Sequence, residues 1–410
     1  MRLALVALGA LALPPGSARA QVTFDQALAL AADAPEVRAA ERASAAREEG
    51  DRDIGGTAQP LQIQLQPGGR VVPEQDQGWE AQFNVSQGWN LADLGGARRA
   101  AARDERRAMS AAARAEALAA RLEAARRWIE LWALQRSEHL AERDVDEAQR
   151  TVSLAERALA GGAGSVAELA ARRAELADAE QHRLSIEGER THAALQLAIA
   201  MGRTPSPRLR TRGDLPRPAL PTGAALDREV RRVAELPVVR VAELRAIAAR
   251  TREVEASAEA APILSVGFQL QRESPEAWMI YGNLGLQLPL FDQGQRATSQ
   301  ARAEAELAEG EHERAALEAT AEMLDAVHEV EHARRLLASL RERAIPAFEA
   351  AGAARTRALE LGEGTAFDVI DAHHQTRHAR SLAIRAQGAL SWAEVRLWLM
   401  LAQLAEDDEP

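Results

Sequence analysis

The chain has 410 residues and a formal charge of −11, and every one of its 50 basic residues is an arginine. An acidic chain with no basic stripe interleaved with aromatics excludes nucleic acid as a partner, and with no cysteine the chain is expected to form no disulfide and to carry no lipid anchor. Hydrophobic residues make up 47% but aromatics only 3%, a profile of Ala, Leu, Arg and Glu that suits long helices packed through small side chains.

Residues 1–20 combine a basic start at Arg2, an apolar run from Leu3 to Leu13 and the small-x-small site Ala18-Arg19-Ala20, and are expected to be a cleaved signal peptide. The exported chain then begins near Gln21 with a charge of about −13. No later apolar run reaches about 18 residues, so passage through a membrane would have to use strands.

A first structural repeat is expected over 21–205. Thr23-Phe24-Asp25-Gln26 is a capping box that opens a helix to about Gly50. A β-hairpin follows at 60–91, in which Leu61, Ile63 and Leu65 alternate with glutamines, and Ala81, Phe83 and Val85 alternate with Gln82, Asn84 and Ser86. Residues 97–160 contain neither Pro nor Gly, and Leu118, Leu122, Ala125, Ile129 and Trp132 step as a heptad seam. Such a helix would be about 96 Å long at about 1.5 Å per residue, too long for one globular core. Gly161 to Gly164 reverse the chain, and a second capping box, Ser165 to Glu168, opens a helix over 166–201.

After a Pro-rich connection at 206–223, a second repeat over 224–410 carries a helix, a β-hairpin at 262–291, a long helix at 295–361 and a helix at 365–404. Phe24-Asp25, Trp79, Asp93-Leu94-Gly95 and Gly164-Ser165-x-x-Glu168 recur as Leu226-Asp227, Trp278, Asp292-Gln293-Gly294 and Gly364-Thr365-x-x-Asp368, each offset by roughly 200 residues. The short helices stacked end to end would match the long ones in length, which predicts antiparallel coiled-coil hairpins about 100 Å tall with the β-hairpins at one end. Pro346 should kink the second long helix, where the first has Asp146.

In the second β-hairpin Leu264, Val266, Phe268 and Leu270 form one face and Ser265, Gly267, Gln269 and Gln271 the other, and the pattern continues through Ile280, Leu284, Leu286 and Leu288. A soluble sandwich would show the same alternation, but nothing in this chain is left to cover the apolar face. Lipid outside and water inside would suit it. Four strands cannot close a barrel, and open edges in hydrocarbon are costly, so self-association follows: two copies give a filled barrel, three a wet one. Trp79, Trp89, Trp278 and Tyr281 lie near strand ends, where membrane-interface aromatics belong, although turn packing would also place them there.

Taken together, the helix opening at Thr23, Leu290-Phe291-Asp292-x-Gly294-x-Arg296, Pro346, and Gly362-x-Gly364-Thr365-x-x-Asp368-Val369-Ile370-Asp371-Ala372 resemble the TolC family of outer-membrane efflux proteins, in order and across the whole exported chain. The resemblance implies a mainly α protein with a small β part. It would assemble as a homotrimer with a 12-stranded barrel in outer-membrane lipid above a periplasmic α-helical barrel. It also implies a passive exit duct of a tripartite efflux pump, with a periplasmic adaptor (membrane fusion) protein and an inner-membrane RND or ABC transporter as partners. Service in type I secretion is the alternative, and a periplasmic coiled-coil adaptor or scaffold is the alternative from another class.

By the same resemblance, Asp368 and Asp371 match the acidic ring at the periplasmic mouth, a cation-selectivity gate, while Gly164, Ser165, Gly362, Gly364 and Thr365 form the helix-turn tips where an adaptor docks. Thr365 to Asp368 is also a capping box, which gives Asp368 a second explanation; Asp371 is not needed by the cap. The first copy has Glu168 and Ala171 there. An arginine that latches such mouths would fall on Gly364, which leaves the latch open. His373, His374 and His378 include an i, i+4 pair, but solvated or packed histidines explain it more simply than a bound metal, so metal is read as cargo at most. No cofactor and no enzyme constellation is expected: there is no phosphate loop and no nucleophile elbow, and the acids are assigned to solvated helix faces.

Overall fold

The computed structural model describes residues 21–51, 59–70, 78–273, 277–291 and 293–406. The signal peptide and Asp292 of the repeat lie outside them. The chain divides into two compact units, each assembled from three stretches of sequence. One takes the residues up to Ala31, Glu123–Arg217 and Glu331–Val395; the other takes Ala32–Leu122, Pro218–Val330 and the residues from Arg396 on.

In chain order the elements are β1 (Gln21–Val22), α1 (Phe24–Ala31), α2 (Pro35–Asp51), β2 (Gln62–Arg70), β3 (Gly78–Asn90), α3 (Leu94–Ala160), α4 (Val166–Ala200), β4 (Arg210–Thr211), α5 (Ala224–Val230), α6 (Pro237–Glu259), β5 (Ile263–Glu273), β6 (Ala277–Gln287), α7 (Gln295–Ser339), α8 (Ile345–Glu360) and α9 (Ala366–Glu406). The fold class expected from the sequence is the one found, long helices with a small antiparallel sheet.

The second unit holds that sheet, ordered β2-β3-β5-β6 with every neighbour antiparallel. The register stacks side chains in rows across all four strands: Leu65, Phe83, Leu270 and Ile280 in one, Ile63, Val85, Phe268 and Gly282 in the next. Directly opposed residues share a face, so these rows are one continuous apolar surface, and Gln64, Asn84 and Gln269 line the other side. The strands enter the helices through a buried asparagine. Asn90 donates from its amide nitrogen to the Ala258 carbonyl at 3.0 Å, and its Oδ1 accepts from the Ala92 N–H at 2.8 Å. At the first turn of α3 the Gly96 N–H is capped by Asp93 at 2.9 Å. In this unit α3 packs on α6 through a cluster of Ala108, Ala111, Val241 and Leu244, where alanines let the two backbones approach closely.

The first unit is helical apart from a two-residue parallel bridge between β1 and β4. Two tryptophans one turn apart on α3 hold it there. Trp128, fully buried, donates from Nε1 to the Val22 carbonyl at 3.0 Å and meets Phe24 edge to face at 5.5 Å. Trp132 donates to the Gly213 carbonyl at 3.1 Å.

Three differences from the sequence reading have a backbone cause. The capping box at Thr23 forms, with reciprocal bonds of 3.0 and 3.3 Å to Gln26, but the helix stops at Ala31 and restarts at Pro35. A proline cannot donate to the residue four back and presses its predecessor out of helical geometry, so it suits a first turn only. Pro237 does the same in the second copy, where a 3₁₀ turn over Val233–Glu235 precedes α6. At Pro346, where a kink is expected, the helix has a π-helical turn, Leu340–Ala344, followed at once by α8 with the proline in its first positions. The wider turn absorbs the missing N–H. In the first copy α3 runs through as one α-helix of 67 residues.

Candidate functional site

Two tight reversals, each joining a pair of helices in the first unit, are built the same way. The N–H of Ala163 closes on the Ala158 carbonyl and that of Glu363 on the Ala358 carbonyl, both at 2.9 Å. Gly162 and Gly362 sit at φ of 75° and 78°, the left-handed region that favours glycine. A side chain on Gly164 would come within 2.8 Å of the Leu159 backbone nitrogen, so that position must also stay bare. Ser165 then caps α4 by accepting from the Glu168 N–H at 3.0 Å.

At the equivalent cap of α9, the Asp368 N–H donates to Thr365 Oγ1 at 3.3 Å, while Asp368 Oδ2 accepts from the Thr365 N–H at 2.9 Å and from its hydroxyl at 2.6 Å. These bonds, led by the hydroxyl, hold the Asp368 carboxyl below the usual carboxylate range. The cap therefore persists as pH falls through the ordinary carboxylate range and is lost only as Asp368 itself protonates.

Asp371, one turn on, is bound by a residue that the sequence reading did not single out. Arg355 of α8 donates from Nη1 to Asp371 Oδ2 at 2.8 Å and to the Asp368 carbonyl at 3.2 Å, and Gln375 adds a bond of 2.9 Å to the same carboxylate oxygen. The pair is solvent-accessible, with Asp371 57% exposed. A signal for it was available: Arg355 and Asp371 stand at similar distances before and after the Gly362 to Thr365 reversal, so an antiparallel hairpin sets them face to face. Gly364 closes the turn and carries no latch. Large apolar side chains flank both reversals in the open: Val166, Leu361 and Phe367 are all exposed.

Farther along the same helices, charge is buried, which corrects the assignment of the acids to solvated faces. Arg172 and Glu175 of α4 pair at 3.2 Å inside the unit, and Arg377 of α9 lies 3.9 Å from Glu175. Asp144 lines a neighbouring cavity with Asp178, His182, His374 and His378. Burial, with some help from Glu147, pushes the Asp144 carboxyl up against the opposing pull of Arg377, His182 and Arg380. A raised carboxyl pKa means that the ionised form is disfavoured in the fold. Asp144→Asn is therefore expected to raise the urea midpoint at neutral pH, with the gain shrinking as pH falls through the raised pKa. Urea titrations of both proteins across the acid range will check this. His374 Nδ1 is 3.9 Å from Asp178, but among the described residues no three His, Asp or Glu side chains are grouped to hold a metal ion.

On the sheet, Trp79 and Trp278 mark one end of the apolar face and Trp89 the other; all three are exposed. Tyr281 is separated from them. Register sets it beside Gln269 on the polar face, where its hydroxyl meets Met279 Sδ at 2.9 Å, because it occupies the opposite parity of β6. Among the described residues no helix is long and apolar enough to cross a membrane.

Residues 233–403 match the family model described as outer membrane efflux protein. No curated protein sequence matches the chain. Among solved structures, the outer-membrane channel OprN aligns with 92% of this chain and 89% of its own, with a TM-score of 0.78 at 18% identity. The outer membrane protein VceC from Vibrio cholerae aligns with 92% of this chain and 95% of its own, with a TM-score of 0.76 at 18% identity. The open state of the outer membrane channel MtrE from Neisseria gonorrhoeae aligns with 92% of this chain and 88% of its own, with a TM-score of 0.70 at 17% identity. The fold of the chain is thus that of the TolC-like outer-membrane channels. Over residues 233–403 it carries an outer membrane efflux protein domain.

Proposed function

We propose that this protein is the outer-membrane exit duct of a tripartite efflux pump, exported by a cleaved signal peptide and closed by three copies of the chain. The observation that carries this is the four-stranded sheet itself: a predominantly apolar face, a glutamine-rich reverse side and, among the described residues, no partner for the outer edges of β2 and β6. Exposed strand edges and an uncovered apolar face are both unstable in water, and a closed barrel in lipid removes both. Trp79 and Trp89 are about 34 Å apart along the strand, which at a tilt of about 45° spans about 24 Å, the height of an outer-membrane apolar band.

Three sheets closing in this way place twelve strands around a lumen wide enough for water. The glutamine-rich faces would line it, and the helices would continue it into the periplasm. The exposed Val166, Leu361 and Phe367 at the glycine reversals offer an adaptor its apolar contacts, and the inner-membrane transporter supplies the energy. Conductance recorded from purified protein in planar lipid bilayers tests the reading, and folded protein that conducts nothing would overturn it.

Asp371 gives the mouth a second test. A carboxylate about 5 Å from a divalent ion is worth roughly tenfold in occupancy even in water, so Asp371→Ala is expected to weaken block by multivalent cations about that much. Arg355→Ala frees the same carboxylate from its partner and is expected to tighten block instead. Block that moves in neither variant removes Asp371 from the conduction path. A state change at the mouth is consistent with the open state reported for MtrE.

A further inference from the structure

The apolar face of the sheet carries a single charge. Of the side chains that project there from the described parts of β2, β3, β5 and β6, Gln87 is the only other one that is strongly polar, and Arg272 alone is ionised. Arg272 stands in the last row, opposite Ala81 on one side and Trp278 on the other, at the end of the sheet away from the helices. Its guanidinium lies over the Trp79 ring at 3.8 Å and 5.9 Å from the centre of the Trp278 ring. Among the described residues it forms no ion pair, and its Nε is enclosed without a hydrogen-bond partner. The nearest acids in sequence register, Glu80 and Glu273, belong to the opposite face by the parity of their strands.

A cation in this position is conspicuous. Stacking on the indoles satisfies the flat faces of the guanidinium, but its donors point along the edge, in the plane of the ring, and need an acceptor. That geometry suits two oxygens of a phosphate held side by side, which lysine, a point charge on a flexible stem, does not match. A row of indoles at the rim of an apolar face sits at headgroup depth, where lipid phosphates lie.

We propose that Arg272, held between Trp79 and Trp278, binds the phosphate of a lipid headgroup in the outer leaflet, one site on each copy of the chain. This rests on the reading of the sheet as a lipid-facing barrel wall, with the helices on the periplasmic side. The bound headgroup supplies an anion that no described residue offers, fixes the depth of the barrel at its outer rim and favours lipids with net-negative phosphate groups over zwitterionic phospholipids, whose phosphate is offset by their own cation.

The test is lipid retention by the full-length protein in detergent, measured by native mass spectrometry with phosphorylated lipid A or with phosphatidylcholine. Wild-type protein is expected to retain lipid A, and Arg272→Gln to bind it about tenfold more weakly, the usual worth of a charge-assisted hydrogen bond. Arg272→Lys should fall between them, because it keeps the charge and loses the planar fork. Equal retention by wild type and Arg272→Gln overturns the site, and displacement of the lipid by equimolar inorganic phosphate makes it a free-phosphate site instead. Membrane fractionation run in parallel separates the two levels of failure. If both proteins enter the outer membrane as heat-modifiable oligomers yet retain lipid equally, only the headgroup site is lost; if wild type does not enter the membrane, the barrel reading falls and the site with it.

Discussion

Phe268→Arg is expected to abolish insertion of the protein into the outer membrane. Phe268 lies midway along β5 between the row of Trp89, Leu264 and Leu286 and the row of Ala81, Arg272 and Trp278, with Val85 on one side and Gly282 on the other. It is 45% exposed within the chain, so its own fold leaves much of the ring uncovered. An arginine at the midplane of a lipid-facing barrel wall costs about 2–4 kcal/mol, and a closed assembly bears that cost once for each chain. The neighbouring position is the control. Gln269 faces the other way, among Asn84 and Asn283, and Gln269→Arg should insert normally because it adds a charge to a wet face. The measurement is the share of heat-modifiable oligomer in the outer-membrane fraction. Normal insertion of the Phe268 variant would mean that this face never meets lipid.

The contrast between those two adjacent residues also explains why so much of the fold was legible in the sequence. A strand alternates with period two, so Leu264 to Leu270 and Ile280 to Leu286 reveal both the strands and the outward side without any knowledge of partners. The seam from Leu118 to Trp132 and the glycine reversals at 161–164 and 362–364 reveal long helices and where they turn. What escaped notice depends on one residue acting on its surroundings. Pro35 and Pro237 are plain in the sequence, yet the sequence reading passed over their effect, which is to divide each helix in two. Arg272 reads as part of a polar turn until the register carries β5 to Glu273 and stacks its guanidinium on two indoles. Tyr281 sits close to the strand end in sequence, but parity removes it from the aromatic rim. Arg355 becomes a partner of Asp371 only once the hairpin brings α8 alongside α9. Acids on long helices carry no mark of burial either, because a helix surrounded by other helices has no solvated face on several sides.

Glu138 shows how large that last effect is. In sequence it is one more acid on α3; in the fold its two oxygens bridge two arginines, with Arg190 Nε of α4 at 3.0 Å and Arg210 Nη1 of β4 at 2.5 Å. Arg190 and Glu138 are only 9% and 13% exposed, and Arg190 also donates to the Pro207 carbonyl at 3.0 Å. The carboxylate therefore ties α3 to α4 and to the strand that pairs with the start of the described chain, beside the Trp128 contact with Val22. Removing it strands two poorly solvated guanidiniums, so Glu138→Ala is expected to destabilise the helical unit by about 3–5 kcal/mol. The opposite outcome should follow from removing all three charges. Replacing Glu138, Arg190 and Arg210 together with methionine leaves no ion without a partner, and a buried network exchanged for apolar side chains of similar volume is often neutral or better. Urea denaturation of the single and triple variants will show whether the triple recovers most of the loss. If the single variant is as stable as wild type, the three charges are hydrated in solution and the β4 bridge is held by the tryptophans of α3 alone.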